Sequence, residues 1–160
     1  MIAVVQRVSG ARVRVERGEG AGHDVSIGRG LLALVCAEAG DGESEAVWVA
    51  DKIANLRIFE DEGGKMNISA LGLEPRGEVL VISQFTLAGD VRKGHRPSFV
   101  RAAGPEDGRR LVACVSARLR EAHGLKVGEG VFGGEMRISL VNEGPVTIII
   151  ERRAADSAGA

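Results

Sequence analysis

Aromatic side chains are nearly missing from this chain: it has no tyrosine, one tryptophan and four phenylalanines, 3% of its 160 residues. Proteins that hold single-stranded nucleic acid by stacking its bases need exposed rings in series, so that class is disfavoured. Cysteine is scarce too. Cys36 and Cys114 lie far apart, without CxxC spacing and in apolar surroundings, which reads as buried reduced thiols of a cytosolic protein rather than a disulfide scaffold. His23, His95 and His123 are isolated, and no Cys/His/carboxylate spacing resembles a metal site. No metal and no organic cofactor are expected. Charge of one sign is not in excess: 21 Lys and Arg against 22 Asp and Glu leave a formal net charge of -1, which disfavours polyanion binding by global charge. No apolar run has the length of a membrane span. Met1–Arg7 lacks the basic start, long apolar stretch and small-residue cleavage site of a signal peptide. The expectation is a cytoplasmic protein with no membrane partner.

What is present describes one domain. Apolar residues make up 44% and charged residues 27%, enough to build a single core without staples. Val13 and Val15 alternate with Arg12, Arg14 and Glu16, the mark of a strand with one wet face. Strands are expected over 1–8 and 11–17, divided at Ser9-Gly10, then over 24–27, 31–37, 57–60 and 78–83. Val47, Ala50, Ile53 and Ala54 recur at helical spacing, predicting a helix over 44–55. A second helix starts at Pro105, with Glu106 and Asp107 complementing its dipole, Leu111, Val115 and Leu119 on one face, and His123-Gly124 at its end. Strands over 126–131, 136–142 and 146–151 close the chain. The fold class is α+β: a curved, mostly antiparallel, barrel-like sheet packed with two helices, spanning 1–153, with a disordered tail at 154–160.

Three segments stand out chemically. The apolar run Val79-Leu80-Val81-Ile82 switches abruptly to Ser83-Gln84-Phe85-Thr86-Leu87. Ser and Thr at a strand end most often satisfy loop backbone; the sharper reading is a donor set aimed at a carbonyl or a developing oxyanion. A hydroxyl nucleophile needs an activating base, and none lies within this segment. Asn142-Glu143-Gly144-Pro145-Val146-Thr147 puts Gly-Pro between two strand-like runs. It is either an ordinary turn or a backbone that aims two carbonyls outward as acceptors for an ammonium group. The loop Arg92-Lys93-Gly94-His95-Arg96, followed by Arg101, is either solvated surface or a local phosphate contact, which Arg109, Arg110, Arg118 and Arg120 would extend. Met66 and Met136 read as packing residues, Met136 lying near the Gly-Pro segment.

On these motifs the chain resembles the D-aminoacyl-tRNA deacylases widespread in bacteria and eukaryotes. The resemblance runs from Met1-Ile2-Ala3-Val4-Val5-Gln6-Arg7-Val8 through Asp51–Phe59 to Glu151. It includes the SQFTL segment at 83–87, the loop Arg92–Phe99 and the NxGPVT segment at 142–147. It implies a homodimer that hydrolyses the ester between a D-amino acid and the 3′-terminal adenosine of tRNA, and glycyl esters as well. It implies a cis Gly144-Pro145 peptide whose carbonyls enter the partner subunit's pocket and exclude L side chains. Met136 and Asn142 join Gly144 and Pro145 on the substrate side. Ser83, Gln84 and Phe85 line the adenosine and the scissile carbonyl, with main-chain N–H groups near Phe85 holding the oxyanion. Water attack assisted by the substrate's ribose hydroxyl is the preferred route, with Thr86 as a covalent nucleophile the alternative. Arg92, Lys93 and Arg96 meet the tRNA. Ala88-Gly89 stands where an aromatic and a small residue are more usual. Two other readings remain: proofreading of one particular L- or glycyl-tRNA mischarge, and a non-catalytic nucleic-acid-binding module.

Overall fold

The computed structural model describes residues 1–153, so the tail expected at 154–160 lies outside the described residues. β1 (Ile2–Val15) is the spine of the sheet. Along one edge it pairs antiparallel with β3 (Gly30–Cys36) and then with β2 (Asp24–Ile27); along the other it pairs antiparallel with β8 (Met136–Glu151). β3 continues the sheet through parallel pairing to β6 (Glu78–Ser83), and β6 pairs parallel with β7 (Lys126–Glu129). The sheet then curls until β7 meets β2. A side chain at Gly128 would put its Cβ 2.8 Å from Val25, and the His23 Nε2 donates to the Glu129 carbonyl at 2.7 Å. A two-stranded ribbon, β4 (Phe59–Glu60) with β5 (Met66–Ile68), stands apart.

Parity along the central strands creates two cores, because successive side chains point to opposite faces. Leu31, Ala33, Val35, Val79 and Val81 face the helices α1 (Glu43–Asn55) and α2 (Pro105–Glu121). Leu32, Leu80 and Ile82 face the concave side with Val8, Val13 and Ile27. Strands buried on both faces read as unbroken apolar runs, which is why β3 and β6 were legible. In α2, Leu111, Val115 and Leu119 are fully buried, each stabilising by roughly 2 kcal/mol. α1 opens with the Glu45 carboxylate accepting from the Gly42 N–H at 2.8 Å, so the N-terminal cap is an acid reaching back.

Several expectations change. The division at Ser9-Gly10 disappears: β1 is one strand, and irregular pairing with β8 on either side of Val8 absorbs the glycine. The two final strands are likewise one element, interrupted but not turned. Met66 does not pack; it is 59% exposed on the small ribbon. Cys36 is buried and Cys114 half-buried, both free thiols raised above the ordinary range by burial.

Candidate active site

β6 delivers Ser83 to a junction between two clefts. One, about 270 Å³, is walled by Ser83, Gln84, Phe85, Phe132, Met136 and Ile138. The other, about 390 Å³, runs under α2 past Val81, Val112, Ser116 and Phe132. The chain leaves β6 under tight control, since the Gln84 N–H donates to the Val35 carbonyl of the neighbouring strand at 2.8 Å. A 3₁₀ turn, Phe85–Ala88, follows. Its closing bonds run from Leu87 N to Gln84 O at 3.2 Å and from Gly89 N to Thr86 O at 3.0 Å. The N–H groups of Phe85 and Thr86 donate to no acceptor among the described residues, as expected at the start of a helical turn. The Gln84 amide donates to Thr86 Oγ1 at 2.5 Å. No carboxylate, imidazole or amine bonds to that hydroxyl among the described residues. Beneath the turn, the Cys36 thiol donates to the Ala37 carbonyl at 3.3 Å and approaches the Phe85 carbonyl at 3.6 Å.

The Gly-Pro segment is an excursion from β8. Asn142 pairs with Val8 and Thr147 with Gln6, so residues 143–146 stand opposite Arg7 alone. Both flanks belong to the same strand, which rules out a hairpin connection. The Gly144-Pro145 peptide is cis, and Gly144 has φ +154°. A Cβ there would lie 2.4 Å from the Val146 nitrogen. Arg7, only 5% exposed, donates from Nε to the Glu143 carbonyl at 2.8 Å and from Nη1 to the Ile58 carbonyl at 2.6 Å. Asn142 closes the neck of the excursion: its Oδ1 accepts from Val146 N–H at 2.9 Å, and its amide donates to Val146 O at 3.3 Å. Arg29 lies 3.6 Å from the Glu143 carboxylate and over the Phe59 ring.

Of the expected substrate-side residues, Met136 lines the Ser83 cleft. Gly130 makes room for it, since a Cβ at that position would meet the Met136 sulfur at 2.6 Å. Gly144, Pro145 and Asn142 do not line that cleft within the one chain.

The basic loop borders a cleft of about 500 Å³ with Asp90, Arg92, Lys93, Arg96 and Ser98. Asp90 and Ser98 exchange backbone hydrogen bonds at 2.8 and 2.9 Å, closing the loop at its neck. Arg92 is bound to the Asp90 carboxylate, which its guanidinium pulls down to about 2. Lys93 and Arg96 are exposed and form no ion pair among the described residues. Arg101 is paired with Glu38. The α2 arginines do not extend this patch as unpaired cations: Arg109, Arg110, Arg118 and Arg120 meet Glu19, Asp107, Asp51 and Glu129 respectively. His123, read as a helix-end cation, meets Asp51 at 2.6 Å and so joins α2 to α1.

Sequence reasoning gave no individual role to Arg7 or Phe99, which lie inside the matched segments, and did not single out Phe132, which walls both clefts. A charged residue inside the apolar run Val4–Val8 was the available signal for Arg7. Among the described residues no cluster of three His, Cys, Asp or Glu side chains is placed to hold a metal ion, and no helix is long and apolar enough to cross a membrane.

Comparison with known proteins gives the same frame. A D-aminoacyl-tRNA deacylase of Heliobacterium modesticaldum is 53% identical over 98% of this chain and 100% of its own length. One from Geobacter sulfurreducens is 48% identical over 98% and 99%. A solved structure of the c-Myc DNA Unwinding Element Binding Protein is 38% identical with a TM-score of 0.84, covering 96% of this chain and 100% of that one. A structure described as a probable eukaryotic D-amino acid tRNA deacylase has the same fold, with a TM-score of 0.80 at 18% identity over 93% and 97% of the two chains. The model of the D-Tyr-tRNA(Tyr) deacylase family matches residues 4–151, and the chain belongs to that family.

Proposed function

We propose that the protein hydrolyses the ester of D-aminoacyl-tRNA at the end of β6, releasing tRNA and the free D-amino acid. The observation that carries this reading is the cleft at Ser83-Gln84-Phe85, where, among the described residues, two N–H groups without acceptors open a 3₁₀ turn and no base bonds to Thr86. Such donors suit the oxyanion of a tetrahedral intermediate. Water attacks the carbonyl carbon, helped by the neighbouring ribose hydroxyl of the substrate. The ester oxygen leaves with a proton as the ribose hydroxyl, and the new carboxyl belongs to the amino acid. Ser83 and Gln84 position the sugar and the carbonyl. Thr86 accepts from Gln84 and shapes the turn, a role that argues against covalent attack.

Chiral selection falls to Gly144 and Pro145. Their carbonyls accept from the substrate ammonium and leave no room for an L side chain, while glycyl esters pass. Because neither residue lines the Ser83 cleft of its own chain, a homodimer in which each protomer supplies the excursion to its partner accounts for both motifs. The apolar side chains that β8 exposes, Val141 at 64% and Ile149 at 66%, favour such a contact. Lys93 and Arg96 supply the tRNA backbone contact. The protein acts in the cytoplasm, where its substrate is.

The test is hydrolysis of D-tyrosyl-, L-tyrosyl- and glycyl-tRNA side by side with added chelator. Loss of the D and glycyl esters alone supports the reaction and the filter; loss of the L-ester, or of glycyl alone, assigns a different proofreading duty. The name of the 38% identical structure favours a second reading, a nucleic-acid-binding module. That reading requires binding that falls steeply with salt and no hydrolysis above background.

A further inference from the structure

The basic loop and the reaction turn are joined at both ends of the loop. Gly89, which closes the 3₁₀ turn by donating to the Thr86 carbonyl at 3.0 Å, is followed directly by Asp90, one half of the loop's neck. Ser98, the other half, is followed directly by Phe99, whose ring meets Phe85 edge-on, with centroids 5.2 Å apart and planes at 75°. Gly89 permits this contact. A Cβ there would sit 3.1 Å from the Phe99 ring and 2.9 Å from the Thr86 carbonyl. Phe85 is 58% exposed even with this contact in place, so the ring edge is a principal restraint on it. The neck itself is stiff, held by the Asp90–Ser98 backbone pair and by Arg92 folded onto the Asp90 carboxylate. Beyond it, Lys93 and Arg96 line the cleft at the tip and form no ion pair among the described residues.

We propose that Phe99 is a positioning residue: engagement of the tRNA backbone by Lys93 and Arg96 is transmitted through the loop neck to Phe99, which sets the Phe85 ring and the turn that carries the N–H donors. The inference rests on the deacylase reading and adds to it a coupling between substrate body and reaction centre. A loop that only gathers tRNA would change KM; a loop wired to the turn changes kcat as well. A contact of this kind contributes on the order of a few-fold to tenfold in an equilibrium, so the kinetic effect belongs in that range.

The experiment is a kinetic cycle on D-tyrosyl-tRNA, with wild type, Phe99→Leu, the pair Lys93→Ala with Arg96→Ala, and the three together. Wild-type turnover of the D-ester is the baseline; its absence would count against the deacylase reading itself rather than against the coupling. The expected result is that removing Lys93 and Arg96 lowers kcat several-fold in wild type but changes only KM once Phe99 is Leu. Phe99→Tyr, which keeps the ring, should behave as wild type. An equal kcat loss in both backgrounds, or a change confined to KM in both, overturns the coupling. Should Phe99→Leu fail to fold, fluorine NMR of fluorophenylalanine-labelled protein decides. With saturating tRNA that lacks its 3′-terminal CCA and so cannot touch Phe85 directly, the Phe85 resonance should shift in wild type and stay unmoved in the Lys93→Ala, Arg96→Ala protein. An unmoved resonance in wild type refutes the proposal.

Discussion

Replacing Arg7 with Met should destabilise the protein and loosen the Gly-Pro excursion together. The guanidinium makes two charge-assisted bonds, to the carbonyls of Glu143 and Ile58, from a site only 5% exposed. Hydrogen bonds from a charged group contribute about 1.5–3 kcal/mol each, giving an upper range of about 3–6 kcal/mol for the pair. Two effects reduce it: the Glu143 carbonyl is only part-buried and regains water, and Met avoids the desolvation that a buried cation suffers. The expected net loss is about 3 kcal/mol. For a domain of this size that lowers Tm by about 6–12 °C. Calorimetry of both proteins measures it, and the ratio of D- to L-tyrosyl-tRNA hydrolysis is read on the same samples. A stability change below about 1 kcal/mol would show that desolvation cancels the bonds. The expected loss of about 3 kcal/mol with an unchanged D-to-L ratio would show that the excursion holds its shape without Arg7.

Thr86→Ala should keep substantial activity, because its hydroxyl accepts from Gln84 and has no base beside it; complete loss in a folded variant restores the covalent route. Pro145→Ala should chiefly raise L-ester hydrolysis, and a variant slow on both esters with an unchanged ratio removes Pro145 from the chiral filter. Lys93→Ala and Arg96→Ala should each lower the salt slope of tRNA binding by about 1, while Arg92→Ala should lower it less, since Asp90 already holds that cation. Equal slopes for all three contradict this division of labour. The Asp90 carboxyl has its folded value lowered from 3.8 to about 2 by Arg92. Its contribution is therefore present above about pH 4 and lost as pH falls towards 2. Asp90→Asn should remove that part of the acid slope, as acid titration of stability can test.

How much was legible depended on whether one periodicity governed a segment. α1, α2, β3 and β6 each repeat a single pattern against the core, and their bounds match within a residue or two. β1 and β8 were divided because Gly10 and Gly144-Pro145 look like breaks locally. Continuity comes from pairing between strands far apart in sequence, which no local pattern encodes. The site follows the same rule. Ser83, Gln84 and Phe85, the residues of the candidate site that the sequence offered, stand at the end of a visible strand and line one cleft. Phe132 and Phe99 arrive from irregular chain with no periodicity, and enter the picture only when tertiary contact brings them to the turn. Asn142 was expected at the substrate, and within the one chain its amide group bonds to Val146 across the neck of the excursion.

β8 pairs with β1 on one side, and its other side has no strand partner among the described residues. An open edge of sixteen residues with exposed Val141 and Ile149 is a template on which a foreign strand could add itself rung by rung. The excursion at 143–146 falls near the middle of that edge and breaks the run of outward backbone groups, leaving a short straight stretch on either side. Proline contributes no N–H to any visiting strand. In the free protomer the excursion thus also limits strand addition, and straightening it would leave a continuous ladder of backbone groups along β8.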